Sequence, residues 1–275
     1  VFKVEYLYEL SSFKSYTNLP FRQESLSLLN FELELEFWTW IIMYINSSNI
    51  TLPEDNDTIV WKYLDLSKFL DMLLSRQLFM SRSDKFEDQY EGTFSEPTFE
   101  EIKKIAANNP KFLDNYKSHR EKVVVSSWHI NEYESFAMWQ IFTQNTEGLA
   151  IQTTIGRLKE ALLPEKKTEQ YIGAVNYIDY KKEFIPFDDT FFPFLFKRKS
   201  FQYEREIRII SDVSSNGMKI DNGLKVDVNL NQLIEKIYIH PKSENWYKNL
   251  VIELVSKLGF DFEIEKSDLE SDILI

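Results

Sequence analysis

The sequence contains no cysteine. That excludes a disulfide framework and every thiolate metal site. It is compatible with a reducing compartment, and a cytoplasmic location is the expectation. Glycine is scarce, with 7 in 275 residues. No Gly-rich run follows a strand signal, so neither a P-loop nor a Rossmann fingerprint is present. No apolar stretch approaches the ~20 residues that a bilayer demands. The longest, residues 37–45, suits a buried helix, and no membrane association is expected. Positive charge is in deficit, 32 Lys and Arg against 44 Asp and Glu, for a net charge of −12. Such a chain repels nucleic-acid phosphates as a whole, so general nucleic-acid binding is disfavoured and would need a local basic patch. The candidate patch is Lys197-Arg198-Lys199 with Arg205 and Arg208; its plainer reading is a solvated surface interleaved with Glu204 and Glu206. The first residue is Val1 rather than Met. The expectation is a trimmed or partial chain, in which a missing targeting segment proves little.

What remains is rich in rings. Aromatic residues make up 15% of the chain and hydrophobic residues 43%, enough for a thick core. The length is long for one core and short for two, so one main domain of about 200 residues is expected. Residues 1–57 are assigned to an N-terminal helical extension and 58–275 to the main domain. In residues 22–46, Leu26, Leu29, Leu33, Phe37, Trp40, Ile41 and Tyr44 recur at helical steps. That helix carries no obvious chemistry and is expected to pack or to meet a protein partner. Residues 46–57 are polar, with Pro53 and several acids, and read as a linker.

Within the main domain the patterns predict strands over 59–63, 78–81, 122–128, 148–153, 171–180, 204–211, 224–228, 236–240 and 260–265. Helices are expected over 66–76, with Phe69, Leu70, Leu73 and Leu74 inward, and over 98–108, opened by a Thr98/Glu101 capping box. Others are expected over 134–142, over 154–162 with Thr154 as its cap, and over 243–258. Asp188 and Asp189 are expected to cap a short aromatic helix ending near Phe196. The mixed order favours an α+β fold with a mixed, largely antiparallel central sheet flanked by helices, over strict βαβ alternation.

Three clusters carry candidate chemistry. The first, Arg82 to Gly92, contains Phe86-Glu87-Asp88-Gln89-Tyr90-Glu91 and places three acids in five residues. Its spacing does not fit a calcium loop, so it reads as an exposed acidic turn or a polar-ligand contact through Asp88 and Glu91. The second runs from Ser126 to Trp139. Here His129, one of only three histidines, lies five residues before Glu134-Ser135 and is expected to pair with Glu134 as an oriented base. Glu134, Met138 and Ile141 would share one helical face. Trp128 and Trp139 would form aromatic walls for a planar ring, or both would be core with His129 capping a helix. No nucleophile elbow supports acyl hydrolysis. The third runs from Lys197 to Arg208. On an extended strand Glu204, Glu206 and Arg208 would share a face, with the acids roughly 7 Å apart. They could act as acid or base or steady a positive transition state, kept ionised by Arg208 and Lys199. A salt-bridged strand surface is the plainer alternative.

In order along the chain, these motifs resemble the bacterial family designated domain of unknown function 2971 (DUF2971). That family opens on an aromatic-Lys-Tyr strand, here Trp61-Lys62-Tyr63. Its Phe-Asn-Asp-Pro-Phe-Glu turn is similar to the first cluster. A branch carries Cys-Trp-His, Glu-Ser and Ala-Met-Trp, matched by Ser127-Trp128-His129, Glu134-Ser135 and Ala137-Met138-Trp139. Glu-Gly and an Ala-Ile strand follow, matched by Glu147-Gly148 and residues 150–153. The closing motif is met by Lys197, Phe201, Tyr203-Glu204, Glu206 and Arg208. The resemblance covers residues 59–265, and Glu87, Gln89 and Ser127 depart from it. Serine in place of the frequent cysteine argues against thiol catalysis.

More distantly, the order of elements resembles that of ADP-ribosyltransferases. Tyr63, the helix after it and a late-strand Glu206 would fill the equivalent places. That likeness implies a nucleotide, NAD in particular, as ligand, and no other cofactor. Glu206 would face the ribose, Glu204 would assist, Tyr63 and Trp139 would stack rings, and His129 with Glu134 would position an acceptor. Lys62, Asp88, Glu91, Trp128, Ser135, Lys197, Tyr203 and Arg208 would complete the pocket, with no metal. Two competing readings remain open. One is a ligand- or partner-sensing module, such as a component of defence against phage. The other is an enzyme acting on nucleic acid through the acidic clusters and the basic run.

Overall fold

The computed structural model describes residues 52–53, 55–107, 111–143, 145–163, 170–187, 189–214 and 220–269. The proposed helix over 22–46 lies outside the described residues.

The first strand, β1 (Ile59–Asp65), shows how the sheet divides its faces. Side chains alternate along a strand. Val60 and Leu64 enter the largest apolar cluster, while Trp61 and Tyr63 enter a second cluster on the opposite face. Helix α1 (Leu66–Ser75) buries Phe69, Met72 and Leu73. Leu74, expected inward, is 68% exposed. The helix ends where Arg76 turns left-handed, and β2 (Gln77–Arg82) follows at once.

Helix α2 (Glu96–Ala106) begins earlier than its sequence pattern suggests. Ser95 is the cap, its hydroxyl accepting from the Thr98 amide, and Pro97 occupies the first turn. The Thr98 hydroxyl is committed elsewhere, to the backbone of Ile185. Helix α3 (Phe112–Arg120) was not foreseen from sequence; it buries none of its residues and so leaves no apolar stripe to read. Strand β3 (Val123–Ile130) follows, then α4 (Phe136–Phe142), whose cap Ser135 accepts from the Met138 amide. Strand β4 (Gly148–Thr154) leads into α5 (Ile155–Ala161) through the Thr154 cap.

The expected strand over 171–180 is two strands, β5 (Gln170–Ala174) and β6 (Asn176–Ile178). The break is at Val175, whose amide donates to the Glu206 carbonyl before the chain departs to pair in parallel with β7 (Phe196–Arg198). The aromatic segment Phe192–Leu195 is a short 3-10 turn. A second 3-10 turn, Lys199–Glu204, precedes β8 (Glu206–Asp212). The chain closes with β9 (Gly223–Asp227), the short α6 (Leu230–Leu233), β10 (Lys236–Ile239), α7 (Asn245–Lys257) and β11 (Glu263–Lys266).

Among the described residues, nine of these strands form one sheet in an α+β fold. Its pairings are antiparallel except β10 with β11. The feature that makes a site is the treatment of β3. One edge of β3 pairs with β8 from Val123↔Asp212 to His129↔Glu206. The other edge is shared: β2 takes Val124 and Val125, and β1 takes His129 and Ile130. Between them Ser126, Ser127 and Trp128 face no strand on that edge. The sheet is therefore split between β1 and β2, and a cleft of about 1320 Å³ opens along the split.

Candidate ligand cleft

A split sheet leaves backbone carbonyls without ladder partners, and such groups must be satisfied another way. Lys62 does this. Its Nζ donates to the Ser127 carbonyl at 3.0 Å and to Ser126 Oγ at 3.1 Å, and lies 5.2 Å from the centre of the Trp128 ring. Burial, helped by the nearby Lys68 charge and only partly opposed by Glu206, lowers its pKa to about 8.

Across β3 from Lys62, β8 presents Glu206 and Arg208 two residues apart on one face, Arg208 in register with Ser127. Arg208 is 1% exposed and is held by Glu206 at 2.9 Å and 3.0 Å, by Glu91 at 2.5 Å and by the Phe194 carbonyl at 2.8 Å. Lys197, from β7, places its ammonium 2.5 Å from Glu204, 2.9 Å from Glu206 and 3.0 Å from Glu91. The five groups form one buried network. Two acids of the first cluster are thus turned inward while Glu87 stays exposed, which corrects the expected exposed turn in part. Asp88 and Glu91 are buried, and Arg198 grips Asp88 through two nitrogens at 2.8 Å and 3.1 Å. Gly92 makes that inward turn: its φ is +64°, and a β-carbon there would lie 2.4 Å from the Phe194 ring.

Glu204 does not lie on the strand, so the expected pleat spacing between the two acids is also corrected. Arg205 between them has φ of 40°, in the left-handed region that side chains rarely occupy. This reversal lets a residue from a 3-10 turn and the first residue of a strand aim at the same ammonium. Lys199 plays no part in holding them; it pairs with Glu183. The basic run therefore has three fates, with Lys197 buried, Arg198 clamped and Lys199 exposed.

The network contains three carboxylates and two cations, and its charges balance when one carboxyl is protonated. Glu204 takes that role. Burial, then its hydrogen bond and repulsion with Glu206, outweigh Lys197 and push its pKa up to about 7. Burial acts on Glu206 in the same sense, but Arg208 and Lys197 overcome it and hold that carboxyl far below the ordinary range. Environments have driven the members of this acid pair apart, one kept anionic and one poised near neutrality.

His129 stands beside the pair. Its Nδ1 is 2.6 Å from the Glu204 carbonyl, which can only accept, so Nδ1 carries the proton. Nε2 has no hydrogen-bond partner among the described residues. Burial foremost lowers the imidazole pKa, which favours the neutral ring. The expected pairing of His129 with Glu134 is not present. Glu134 precedes α4 instead of lying on it, and it accepts from Trp139 Nε1 at 2.8 Å and from the Asp268 amide at 3.3 Å. Its expected alignment with Met138 and Ile141 fails for the same reason.

Of the residues singled out from sequence, eleven line the cleft: Lys62, Tyr63, Asp88, Glu91, Trp128, His129, Lys197, Tyr203, Glu204, Glu206 and Arg208. Glu134, Ser135 and Trp139 do not. Trp139 is core, packed edge-on against Tyr63 and His240. Trp128 is buried in the main cluster and offers the cleft only an edge of that core. Tyr63 is fixed by its hydroxyl, which accepts from the Ser135 amide at 2.8 Å.

The accessible rings are others. Tyr90 and Tyr203 are 49% and 47% exposed, and the Arg198 guanidinium lies 4.5 Å from the Tyr90 ring and 5.3 Å from Phe201. Arg198, Phe201 and Tyr90 were visible in sequence only as members of motifs. Ser126 was visible only as the edge of the second cluster, and Tyr177, whose hydroxyl accepts from the Glu206 amide at 2.8 Å, gave no signal at all. Neither models of known protein families nor curated proteins match the chain.

Proposed function

We propose that the chain is a nucleotide-directed transferase of the ADP-ribosyltransferase kind, acting on NAD in the cleft of the split sheet, within a DUF2971-like domain. The observation that supports this most is the acid pair on Lys197, Glu204 at 2.5 Å and Glu206 at 2.9 Å from one ammonium, in surroundings that raise the pKa of the first and lower that of the second.

The chemistry suits those two states. When the bond between nicotinamide and ribose C1′ breaks, the electron pair goes to the ring nitrogen and nicotinamide leaves neutral, so no acid is needed. The positive charge that develops at C1′ calls for a fixed carboxylate, the role assigned to Glu206. The acceptor that then bonds to C1′ releases a proton, which ionised Glu204 takes. Arg198, stacked beside Tyr90 and Phe201, offers a guanidinium and ring faces to phosphate and base. Arg208 and Lys197 position the pair.

The test is nicotinamide release from NAD, followed in wild type and in Glu204→Gln and Glu206→Gln proteins whose folding has been checked by circular dichroism. Loss of turnover in both variants supports the assignment; equal rates in all three proteins remove the pair from catalysis.

One observation favours a second reading, a non-catalytic ligand sensor, of which phage defence is one setting. Both oxygens of Glu206 are already engaged by Lys197 and Arg208. A nucleotide that raises the melting temperature without being consumed would support that reading over the first.

A further inference from the structure

A second reactive group in the cleft lies outside the acid pair. A lysine with few carboxylate neighbours is normally left in water, because an unpaired buried ammonium is costly. Lys62 instead sits in the sheet split, and no carboxylate lies within ion-pair distance of it among the described residues. The Trp128 ring lies against its ammonium end, and the cleft lining includes the apolar Leu64, Met72 and Leu78 beside the polar Ser67, Lys68 and Asp71. Its two hydrogen-bond partners are both placed to accept, Ser126 Oγ and the Ser127 carbonyl. A neutral amine has two N–H bonds and one lone pair. The two acceptors use the two N–H bonds and leave the lone pair free, on a nitrogen that borders the cleft.

We propose that Lys62 is a nucleophilic amine that captures a carbonyl compound entering the cleft, and that the apolar lining selects an aromatic or otherwise apolar aldehyde. In the step, the Nζ lone pair bonds to the carbonyl carbon and the carbonyl π pair moves to oxygen. Protons pass from nitrogen to oxygen, water leaves with the original carbonyl oxygen, and an imine remains. No oxidant or reductant takes part. The depressed basicity of Lys62 agrees with this role, since it leaves a large share of the amine neutral at pH 7.5 while exposed lysines are almost wholly protonated.

The proposal assigns no step to Glu204 or Glu206, although the Glu206 charge partly opposes the lowering of the Lys62 pKa, and it can fail or succeed independently of NAD turnover. The test is reductive trapping of the whole chain with benzaldehyde and cyanoborohydride at pH 7.5, read by peptide mapping. Lys62 is expected to acquire the benzyl group about tenfold faster than the exposed Lys68, with a labelling rate whose midpoint lies near pH 8. The fast phase is expected to vanish in Lys62→Arg. Labelling of Lys62 in wild type no faster than Lys68 would overturn the proposal, whether because the amine is protonated or because it is merely buried. That outcome needs no variant to fold.

Discussion

His129 and Glu206 are register partners across β3 and β8, so the histidine segment and the late acidic strand meet at one point of the sheet. The His129 ring reaches past its partner to bond the carbonyl of Glu204. The ring of His129 therefore anchors the backbone just before the left-handed Arg205, and the Ile130 amide, donating to the Arg205 carbonyl, holds the next position. Replacing His129 with phenylalanine removes the ring donor and leaves the Glu204 carbonyl unsatisfied. His129→Phe is expected to cost about 1–3 kcal/mol in urea unfolding, and to weaken turnover by loosening Glu204. Unchanged stability would show that the bond is not what holds the turn.

The proton on Glu204 sets a pH dependence for the proposed reaction. As the base, Glu204 must be ionised, so nicotinamide release is expected to rise as pH passes through about 7 and then level off. Glu91→Gln removes one of three carboxylates from the network, after which two cations face two acids. The rising limb should then move to lower pH. A limb that stays in place, or that falls with pH, would contradict the charge-balance account.

Stability should carry the same signature. Glu204 has a folded pKa above the ordinary 4.5, so its contribution is complete below that value and is lost as pH rises towards 7. Glu206 is shifted the other way, so its contribution is present above 4.5 and declines only in acid. Glu204→Gln is expected to flatten the decline in unfolding free energy between pH 5 and 7. Glu206→Gln leaves Arg208 and Lys197 short of a partner in the interior, and a loss of about 3–5 kcal/mol is expected by denaturant titration.

Lys62 supplies a third window. Its folded pKa of about 8 lies below the ordinary 10.5, so the unfolded chain holds the proton more tightly between those values. Wild type is expected to gain stability relative to Lys62→Met as pH rises from 8 to 10. A constant difference across that range would mean that the amine is not strained by burial.

Arg205 pays for the geometry with an unfavourable backbone. A β-branched residue tolerates φ of 40° still less. Arg205→Val should destabilise by about 1–2 kcal/mol beyond wild type, whereas Arg205→Gly should fold with near-normal stability and keep the Glu204 titration. If valine is accepted without cost, the left-handed turn is not what brings the two acids together.

Much of this architecture was written in local pattern. The run of β-formers at Ile59-Val60-Trp61-Lys62-Tyr63 marked the first strand, and Thr154 marked where β4 becomes α5. These features depend on neighbours in the chain and follow from strand propensity and backbone capping. The residue types of the cleft were also legible, because a lysine among rings, a lone histidine and paired acids are unusual enough to notice. Their partners were not. His129 was expected to bond Glu134, five residues away, and bonds the backbone of Glu204, 75 positions on. Asp88 and Glu91 read as an exposed turn, and the nearby basic residues Arg82 and Lys85 pair with Asp84 instead; Arg198 and Arg208 neutralise Asp88 and Glu91 from over 100 residues away. The sequence by itself determined strands, faces and the supply of charged groups. Only tertiary structure decided which charges meet, since burying an ion is tolerable solely where long-range folding delivers its opposite.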